Sequence, residues 1–521
     1  MNTLYGFTRN YLNETGASMH LLLADDSGCA ALNHGFGILF PKADFAEDDF
    51  VGVCKGLICP WIFRMAEGGF GIAALRRNFK RSGQVEPDAQ ANAILLFRSA
   101  DLIHYDEIGL LPLAADGVVI EDVRVLPEGD AYRIAFRTGS AWQAVTTSDF
   151  TVFAPAAVPE LPDRVPVPFE DAAPACPIEL TDAEAQALRT RFGESHLPAD
   201  AVVYPFPLMP ERGDPMAIPY NGGYLFMATD DERGQRTLKI RWAKRLRDVP
   251  DQPDHVIFTA NDEGDYSGCL WAPELHWVGG RLCIFFAAGM PHWYTVQSRV
   301  MWLEGDDPLN AACWSAPRRM ERPDGTWLTH DGISITLDMT VVPTGNGSYV
   351  VWSQRPIYQD PLKCGTADLY IARLNEAEPW RLASDPVLLT RPEYGWERIH
   401  SEVCEGPFLL RRGDRLFLTY ACALIDHTYA VGMLTAADGD DLCIPASWRK
   451  ESYPVLHRLS MPDQLGAGHN AFVKDELGND VITLHALSKA GYIHDPNDGR
   501  RFPCFRQVVW DETGFPHFDA T

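Results

Sequence analysis

The sequence lacks several features that define broad classes of protein. No apolar run approaches the roughly 18–20 residues of a membrane-spanning helix, so we expect no transmembrane segment. Residues 1–10 have neither the basic nor the apolar stretch of a secretory signal, which makes a cytoplasmic location the expectation. The 12 cysteines are scattered and include no CxxC pair, so the ligand spacings of a zinc site are missing and reduced thiols are expected.

Positive charge is also scarce. The 521 residues include 45 Lys and Arg against 71 Asp and Glu, which gives a net charge of −26. A field of this sign repels phosphate backbones and anionic lipid surfaces, so we expect neither a nucleic-acid nor a membrane partner. A neutral sugar is indifferent to that field. Aromatic residues make up 11% of the chain, with 14 Trp, and aromatic faces either stack on sugar rings or fill β-sheet cores.

Helical periodicity is rare along the chain. The clearest example is the stretch 181–192, which begins with a capping Thr181 and an acidic first turn. It follows the proline-rich stretch 154–177, which is typical of a domain boundary. We therefore predict three regions: a β-rich accessory domain at 1–165, a linker with a short helix at 166–204, and a larger domain at 205–521.

The region 205–521 contains a repeated pattern of tight turn followed by apolar strand. The predicted strands are 224–228, 281–286, 348–352 and 415–420, and a fifth unit covers 472–485. The units recur at intervals of roughly 60–70 residues, which is typical of the blades of a propeller. We predict an all-β fold with a C-terminal five-bladed β-propeller. Fainter strands at 69–75, 94–103 and 130–137 predict a degenerate, propeller-like N-terminal domain.

Three carboxylates stand at comparable places in this repeat. Asp338 and Glu405 each interrupt an apolar strand-like run, and Asp214 lies at the start of the first blade. A buried carboxylate costs several kcal/mol unless it is paired or functional. Equivalent positions of successive blades converge at the propeller axis, so the three should share one pocket. Like charges in one pocket push pKa values apart, which is what the acid and base of glycoside hydrolysis require.

Six motifs carry a resemblance to a known family over the stretch 206–518. They are Asp214-Pro-Met before Tyr224-Leu-Phe-Met-Ala-Thr-Asp-Asp, Trp271-Ala-Pro-Glu, Leu337-Asp-Met-Thr with Val351-Trp-Ser-Gln, Glu405-Gly-Pro, Gly466-Ala-Gly-His-Asn, and Leu484-His-Ala. In this order and spacing the sequence resembles glycoside hydrolase family 43, the five-bladed inverting furanosidases and xylosidases. The resemblance implies that Asp214 is the general base, that Glu405 is the general acid, and that Asp338 orients the acid and tunes its pKa.

The same resemblance extends to binding residues. His469 matches the family's axial histidine, which helps to hold a calcium ion or a water molecule through ordered solvent; no organic or redox cofactor is implied. Relatives carry an arginine after the Asp-Pro-Asn of residues 495–497, and Arg500 or Arg501 would fill that role here. The substrate-binding candidates are Trp271, His292, Trp293, Gln354 and Arg501.

The subtype points to one branch of the family. The stretches 337–340, 352–354 and 386–396 look most like the α-L-arabinofuranosidases, which act on chain ends, so the expected partner is an oligosaccharide, and a homo-oligomer is compatible with the sequence. A β-xylosidase, a galactofuranosidase, a D-arabinofuranosidase, a non-catalytic glycan-binding propeller and a retaining furanosidase remain alternatives. In the N-terminal region Cys59-Pro-Trp stands where relatives have Asp-Pro-Phe, and 96–105 resembles a blade motif, so that region is predicted to be catalytically inactive.

Overall fold

The protein divides into two compact units. The structure is a computed structural model that describes residues 2–9, 15–45, 51–79, 85–358 and 364–521. The N-terminal unit comprises Met1–Glu194 and Glu393–Ile399, and the C-terminal unit comprises Ser195–Pro392 and His400–Thr521. The predicted domain limits at 165 and 205 stay predictions. Neither α-helix of the described residues is long and apolar enough to cross a bilayer.

The N-terminal unit consists mainly of antiparallel sheets. Its strands are β1 (Asn2–Phe7), β2 (His20–Asp25), β3 (Gly28–Ala31), β4 (Lys55–Arg64), β5 (Phe70–Phe79), β6 (Val85–Pro87), β7 (Ala93–Ser99), β8 (Asp106–Pro112), β9 (Asp122–Glu128), β10 (Ala131–Thr138), β11 (Ala141–Thr147), β12 (Ala154–Ala156) and β13 (Cys176–Leu180). They pair in the orders β13-β1-β2-β3, β4-β5-β7-β8 with β6 on β5, and β12-β11-β10-β9. Helix α1 (Asp182–Phe192) follows, and the Thr181 hydroxyl accepts the Glu184 amide in a capping box.

Two local features of this unit concern the residues that the sequence analysis compares with blade motifs, Cys59 and the stretch 96–105. Cys59 has a left-handed φ of 52° beside an irregularity in the β4–β5 register, between Ile58 and Trp61. Two loops also share one hydrogen-bond pattern: Ser99 Oγ accepts the Leu102 amide at 2.7 Å, and Thr147 Oγ1 accepts the Phe150 amide at 2.9 Å. The propeller-like character of the whole unit stays a prediction.

The C-terminal unit is built almost entirely of strands. They are β14 (Gly213–Tyr220), β15 (Gly223–Thr229), β16 (Thr237–Ala243), β17 (His255–Thr259), β18 (Gly268–Val278), β19 (Arg281–Gly289), β20 (Gln297–Trp302), β21 (Arg318–Arg319), β22 (Ser334–Thr344), β23 (Gly347–Pro356), β24 (Asp368–Arg373), β25 (Val387–Thr390), β26 (Cys404–Arg412), β27 (Arg415–Cys422), β28 (Ala430–Ala437), β29 (Arg449–Lys450), β30 (Gln464–Lys474), β31 (Asp480–Ser488), β32 (Phe502–Gln507), β33 (Val509–Trp510) and β34 (Pro516–His517). Helix α2 (Lys489–His494) lies between β31 and β32.

Strands β14–β32 form five successive antiparallel sheets, each meandering in chain order, and β33 pairs separately with β34. Four have four strands (β14–β17, β18–β21, β22–β25 and β26–β29), and the fifth is β30-β31-β32. The first strand of each sheet contacts the first strand of the next, and β30 contacts β14, which closes the ring. The predicted five-bladed β-propeller is thereby confirmed. We refer to the sheets as blades 1 to 5 in chain order.

Turn chemistry and apolar packing explain this architecture. The turn between β14 and β15 places Asn221 and Gly222 at φ 47° and 70°, the left-handed pair that a tight hairpin needs. Successive hairpins follow one another at blade spacing, so each sheet lies between two neighbouring sheets of the ring. Each sheet can therefore bury both of its faces. Apolar clusters accordingly lie between successive blades, such as the one of Val300, Met339 and Trp352 between blades 2 and 3.

Candidate active site

One cavity of about 450 Å³ in the C-terminal unit holds all three predicted carboxylates. Its lining consists of Glu211, Asp214, Asp231, Gln235, Trp271, Leu337, Asp338, Glu405, Ile425, His469, Gly499 and Arg501. The structure thus brings together Asp214, Asp338 and Glu405 with three other predicted residues, Trp271, His469 and Arg501. Pockets of this size with a few convergent polar groups are typical of small-molecule sites.

Backbone irregularities place the three carboxylates in this cavity. Asp214 and Asp338 both have φ 54°, and Gly406, next to Glu405, has φ 51°. Each lies where the register shifts between the first and second strands of blades 1, 3 and 4. A bulge re-aims a side chain, and left-handed backbone in a non-glycine residue is strained, so such positions cluster at functional sites.

Asp214 is held as an anion by a dense set of partners. Arg501 Nη1 donates to Oδ1 at 2.8 Å, Thr229 Oγ1 donates to Oδ2 at 2.6 Å, and His469 Nδ1 lies 3.3 Å from Oδ1. His485 Nδ1 lies 3.2 Å from Oδ1 and from the Asp214 amide nitrogen. Burial raises the pKa of Asp214, but Arg501, His469 and His485 outweigh burial and hold this pKa well below its usual range.

Arg501 belongs to a hydrogen-bond chain that follows the cavity wall. Its Nε and Nη2 donate to Asp231 Oδ2 and Oδ1 at 3.0 and 2.7 Å, a bidentate pair. Gln235 Nε2 donates to Asp231 Oδ1 at 3.0 Å, and Trp271 Nε1 donates to Gln235 Oε1. The indole of the predicted wall residue is therefore connected to Asp214 through three side chains, all of which line the cavity.

Gly213 makes room for this arginine. A Cβ at residue 213 would stand 2.1 Å from Arg501 Cζ, so Gly213→Ala is expected to expel the guanidinium from between Asp214 and Asp231. We expect a loss of about 1–3 kcal/mol in the free energy of unfolding, measured by urea denaturation. The control is Gly345→Ala, since a Cβ at Gly345 meets nothing within 4 Å. Equal stabilities of the two variants would show that Arg501 is not fixed as described.

The pKa values of Glu405 and Asp338 are shifted in the opposite direction from that of Asp214. The Tyr429 hydroxyl donates to Glu405 Oε1 at 2.7 Å, and the Gly406 amide donates to Asp338 Oδ2 at 3.0 Å. Burial raises the pKa of Glu405 above its usual range, although the hydrogen bond from Tyr429 opposes that shift. Burial, together with the charges of Glu405 and Asp214, also raises the pKa of Asp338. The cavity therefore combines an ionised Asp214 with a pair of carboxyl groups whose pKa values are raised, so that this pair retains a proton to higher pH than isolated carboxyl groups do.

His469 lies between these groups. Its Nδ1 is 3.3 Å from Asp214 Oδ1 and 3.9 Å from Asp338 Oδ2. Burial lowers the pKa of His469, but the charges of Asp214, Asp338 and Glu405 outweigh burial and raise this pKa, which favours the imidazolium form. Gly406 permits this position, since a Cβ there would stand 2.9 Å from the imidazole ring.

These surroundings do not fit a calcium ion bound directly by His469. Calcium prefers six to eight oxygen ligands, whereas the Asp214 oxygen nearest to His469 already accepts a hydrogen bond from Arg501. In the described part of the chain, no set of three or more His, Cys, Asp or Glu ligand atoms within 4.8 Å of one another includes His469. A calcium ion held through ordered water stays a prediction.

Three predicted substrate-binding residues are not part of the cavity lining. Gln354 Oε1 accepts the indole N–H of the buried Trp352 at 3.2 Å, which uses its acceptor inside blade 3. His292 and Trp293 lie in the turn after β19, where the His292 ring stacks on Tyr294 at 5.3 Å and Trp293 is exposed. A direct contact of these three residues with a sugar inside the cavity is not supported by the lining, and their role in substrate binding stays a prediction.

Sequence reasoning also missed several cavity residues. Glu211, Asp231, Gln235 and Ile425 line the cavity, and Tyr429 contacts Glu405. Asp231 ends a motif that carries the family resemblance, which is a signal that could have identified it. Gln235 belongs to no motif that carries the resemblance. Its left-handed φ of 60°, in the short turn before β16, is visible only in the structure.

Comparisons with known proteins agree with this geometry. A family model described as glycosyl hydrolases family 43 matches residues 204–516. The chain is 33% identical to alpha-L-arabinofuranosidase 43 of Humicola insolens over 322 residues, which is 61% of this chain and 63% of that protein. It is 32% identical to the extracellular exo-alpha-(1->5)-L-arabinofuranosidase of Streptomyces chartreusis over 318 residues, 60% of this chain and 92% of that protein.

A solved structure shows the same fold. The alpha-L-arabinofuranosidase from Lactobacillus brevis aligns with a TM-score of 0.52 and 33% identity, covering 60% of this chain and 96% of that one. The chain spans 63% of the length of the Humicola insolens protein, so not every part of that relative is matched. The family model, in contrast, matches well over half of this chain. The chain belongs to the glycosyl hydrolases family 43.

Proposed function

We propose that this protein is an inverting, exo-acting α-L-arabinofuranosidase that releases terminal arabinofuranose from neutral oligosaccharides. The observation that carries the proposal is the contrast within one cavity between Asp214, whose pKa is held low, and Glu405, whose pKa is raised. Inverting hydrolysis requires this combination of one ionised and one protonated carboxyl group. The names of the relatives from Humicola insolens and Streptomyces chartreusis support arabinofuranose as the sugar.

The proposed mechanism is a single displacement. Asp214 accepts a proton from a water molecule as the water oxygen attacks the anomeric carbon. Glu405 donates its proton to the glycosidic oxygen as the carbon–oxygen bond breaks, so the leaving sugar departs as a neutral alcohol. Asp338 and Glu405 interact as like charges, so ionisation of Asp338 favours retention of the proton on Glu405. Tyr429 orients Glu405 through its hydrogen bond.

The cavity favours the end of a neutral sugar chain. A volume of about 450 Å³ with Trp271, Leu337 and Ile425 on its walls suits one terminal furanose better than a long stretch of polymer. The two cationic residues of the cavity lining already contact carboxylates: Arg501 is paired with Asp231 and Asp214, and His469 lies beside Asp214. Neither of these two lining residues is thus left to bind the carboxylate of an acidic sugar.

The direct test uses three aryl glycosides. We expect the purified protein to hydrolyse 4-nitrophenyl α-L-arabinofuranoside in preference to the β-D-xyloside and the β-D-galactofuranoside. Preference for the xyloside or the galactofuranoside would replace the proposed sugar by that one. Binding of arabinose-containing oligosaccharides without turnover would identify a glycan-binding propeller instead. The cytoplasmic location and the homo-oligomer stay predictions.

The pH dependence follows from the two directions of pKa shift. Asp214 must be ionised, and its pKa is low, so on the acid side activity is expected to persist below the usual pKa range of an aspartate. Glu405 must be protonated, and its pKa is raised, so the alkaline limb is expected above the usual glutamate range. Asp338→Asn removes a negative charge that favours the protonated acid, and should move the alkaline limb of kcat/KM to lower pH. An unmoved or raised alkaline limb in this variant would contradict the tuning role of Asp338.

We also propose that the N-terminal unit has no catalytic centre of its own. Cys59 occupies a left-handed position at a register shift, as Asp214 does, but a thiol there cannot serve as the carboxylate base. Burial raises the pKa of the Cys59 thiol, which disfavours a reactive thiolate at neutral pH. All hydrolysis should therefore depend on the cavity of the C-terminal unit.

A further inference from the structure

We propose that the loop 423–429, together with Tyr492 of helix α2, forms the subsite that binds the leaving-group sugar. This inference rests on the proposed function and specifies which surface recognises the second residue of the substrate. The ligand is a neutral glycosyl ring, attached through the oxygen that Glu405 protonates. We call the group Ile425, His427 and Tyr492 the rim.

Two residues of the loop 423–429 place it beside Glu405, the proton donor. Ile425 lines the cavity, and the Tyr429 hydroxyl donates to Glu405 Oε1 at 2.7 Å. In an inverting reaction the acid must reach the glycosidic oxygen, so the leaving sugar lies on the side of the acid. Asp214, which activates water on the opposite face, is fixed by Arg501 and Thr229, both of which lie outside this loop.

The loop is built as a rigid structure. Asp426 Oδ1 accepts from the Thr428 amide at 2.7 Å and from its hydroxyl at 2.6 Å, and His400 Nδ1 lies 2.6 Å from Asp426 Oδ2. The Asp426 carbonyl lies against Gly466, where a Cβ would come within 1.9 Å of it. A surface held in this way loses little conformational entropy when a ligand binds.

The rim has the chemistry of a sugar platform. The side chains of Ile425 and its neighbour Leu424 are 39% and 44% exposed, so this fixed loop presents an apolar surface to solvent. The His427 ring lies 4.9 Å from the Tyr492 ring at an interplanar angle of 32°. Sugar rings present an apolar face and a rim of hydroxyl groups, and they pair with aromatic and aliphatic surfaces that have polar atoms at the edge.

The test separates binding of the leaving group from chemistry at the anomeric carbon. The variants are His427→Ala and Tyr492→Ala, with Tyr492→Phe as the version that keeps the ring. The substrates are an α-1,5-linked arabinotriose, which fills the subsite, and α-L-arabinofuranosyl fluoride, whose leaving group is a single ion. Trp277→Ala is the control, because Trp277 is 53% exposed and stacks on Tyr220, away from the cavity lining.

We expect both alanine variants to lower kcat/KM for the triose by about two- to tenfold, with kcat/KM for the fluoride unchanged. Tyr492→Phe and Trp277→Ala should match the wild type on both substrates. In the Glu405→Gln background, Tyr492→Ala should weaken binding of the triose, measured by calorimetry, by a similar factor and leave arabinose binding unchanged.

Equal losses on the triose and the fluoride, or no loss on either, would overturn the subsite. A wild-type protein that does not hydrolyse the fluoride would overturn the proposed function instead, so the two failures are distinguishable.

Discussion

Replacing Asp214 by asparagine is expected to lower kcat/KM for 4-nitrophenyl α-L-arabinofuranoside by roughly 10²–10⁴-fold. The amide has nearly the shape of the carboxylate, so its Oδ1 can still accept from Arg501 Nη1. It cannot take a proton from water, and it is neutral where Arg501 and His469 are arranged around an anion. The loss should therefore appear mainly in kcat, with little change in the binding of sugar.

The matched control for this variant is Asp262→Asn, which makes the same change at an exposed position of the same unit. It should retain wild-type activity, and melting curves should show both variants folded. More than a tenth of wild-type activity in a folded Asp214→Asn variant would contradict the assignment of the base. Such activity would also point to a second catalytic centre, which the Cys59 position of the N-terminal unit is not expected to supply.

Replacing Glu405 by glutamine should give a loss that depends on the leaving group. For an arabinose oligosaccharide, whose leaving alcohol needs a proton, kcat/KM should fall roughly 10²–10⁴-fold. For α-L-arabinofuranosyl fluoride the loss should be small, because fluoride departs without protonation. The alkaline limb that reports ionisation of Glu405 should be present for the oligosaccharide with the wild type, and absent for the fluoride with the wild type and the variant alike, because fluoride needs no acid.

The same two substrates distinguish the acid from the base. Asp214→Asn should impair the oligosaccharide and the fluoride equally, because both require an activated water. If Glu405→Gln also impaired both substrates equally, Glu405 would not be the proton donor, and Asp338, whose pKa is also raised, would be the next candidate for that role.

Several features of the fold could be predicted because they are local. The hairpins of blades 1, 2 and 3 follow glycine-rich turns, and alternation in short apolar runs is sufficient to identify their strands. Asp338 and Glu405 stand out because carboxylates are costly within apolar strands. Blade symmetry then predicts that the two converge with Asp214.

The rest of the site depends on contacts between distant parts of the chain. Arg501 and Asp214 are 287 residues apart, and the hydrogen bond between them requires the closed ring of five blades. In the sequence, Tyr429 cannot be distinguished from any other buried aromatic residue. Only the structure of blade 4 shows that its hydroxyl donates to Glu405. Gln354 shows the converse: its sequence motif is typical of a sugar contact, but its amide oxygen accepts the indole N–H of Trp352, and Gln354 is not part of the cavity lining.

Backbone strain was equally invisible in the sequence. Asp214 and Asp338 adopt left-handed φ values that non-glycine residues rarely take, and their residue types do not predict this conformation. Only Gly406 and Gly466 signal such positions directly. The bulges at the first strands therefore had to come from the structure, even though they determine where the three carboxyl groups lie.

The most direct test of the central claim is the anomeric configuration of the first product. Hydrolysis of 4-nitrophenyl α-L-arabinofuranoside is followed by proton NMR before mutarotation equilibrates the released sugar. A single displacement by water, with Asp214 as base and Glu405 as acid, predicts that β-L-arabinofuranose forms first. Initial release of the α-anomer would show retention through a covalent intermediate and would contradict the assignment of Asp214 as a general base.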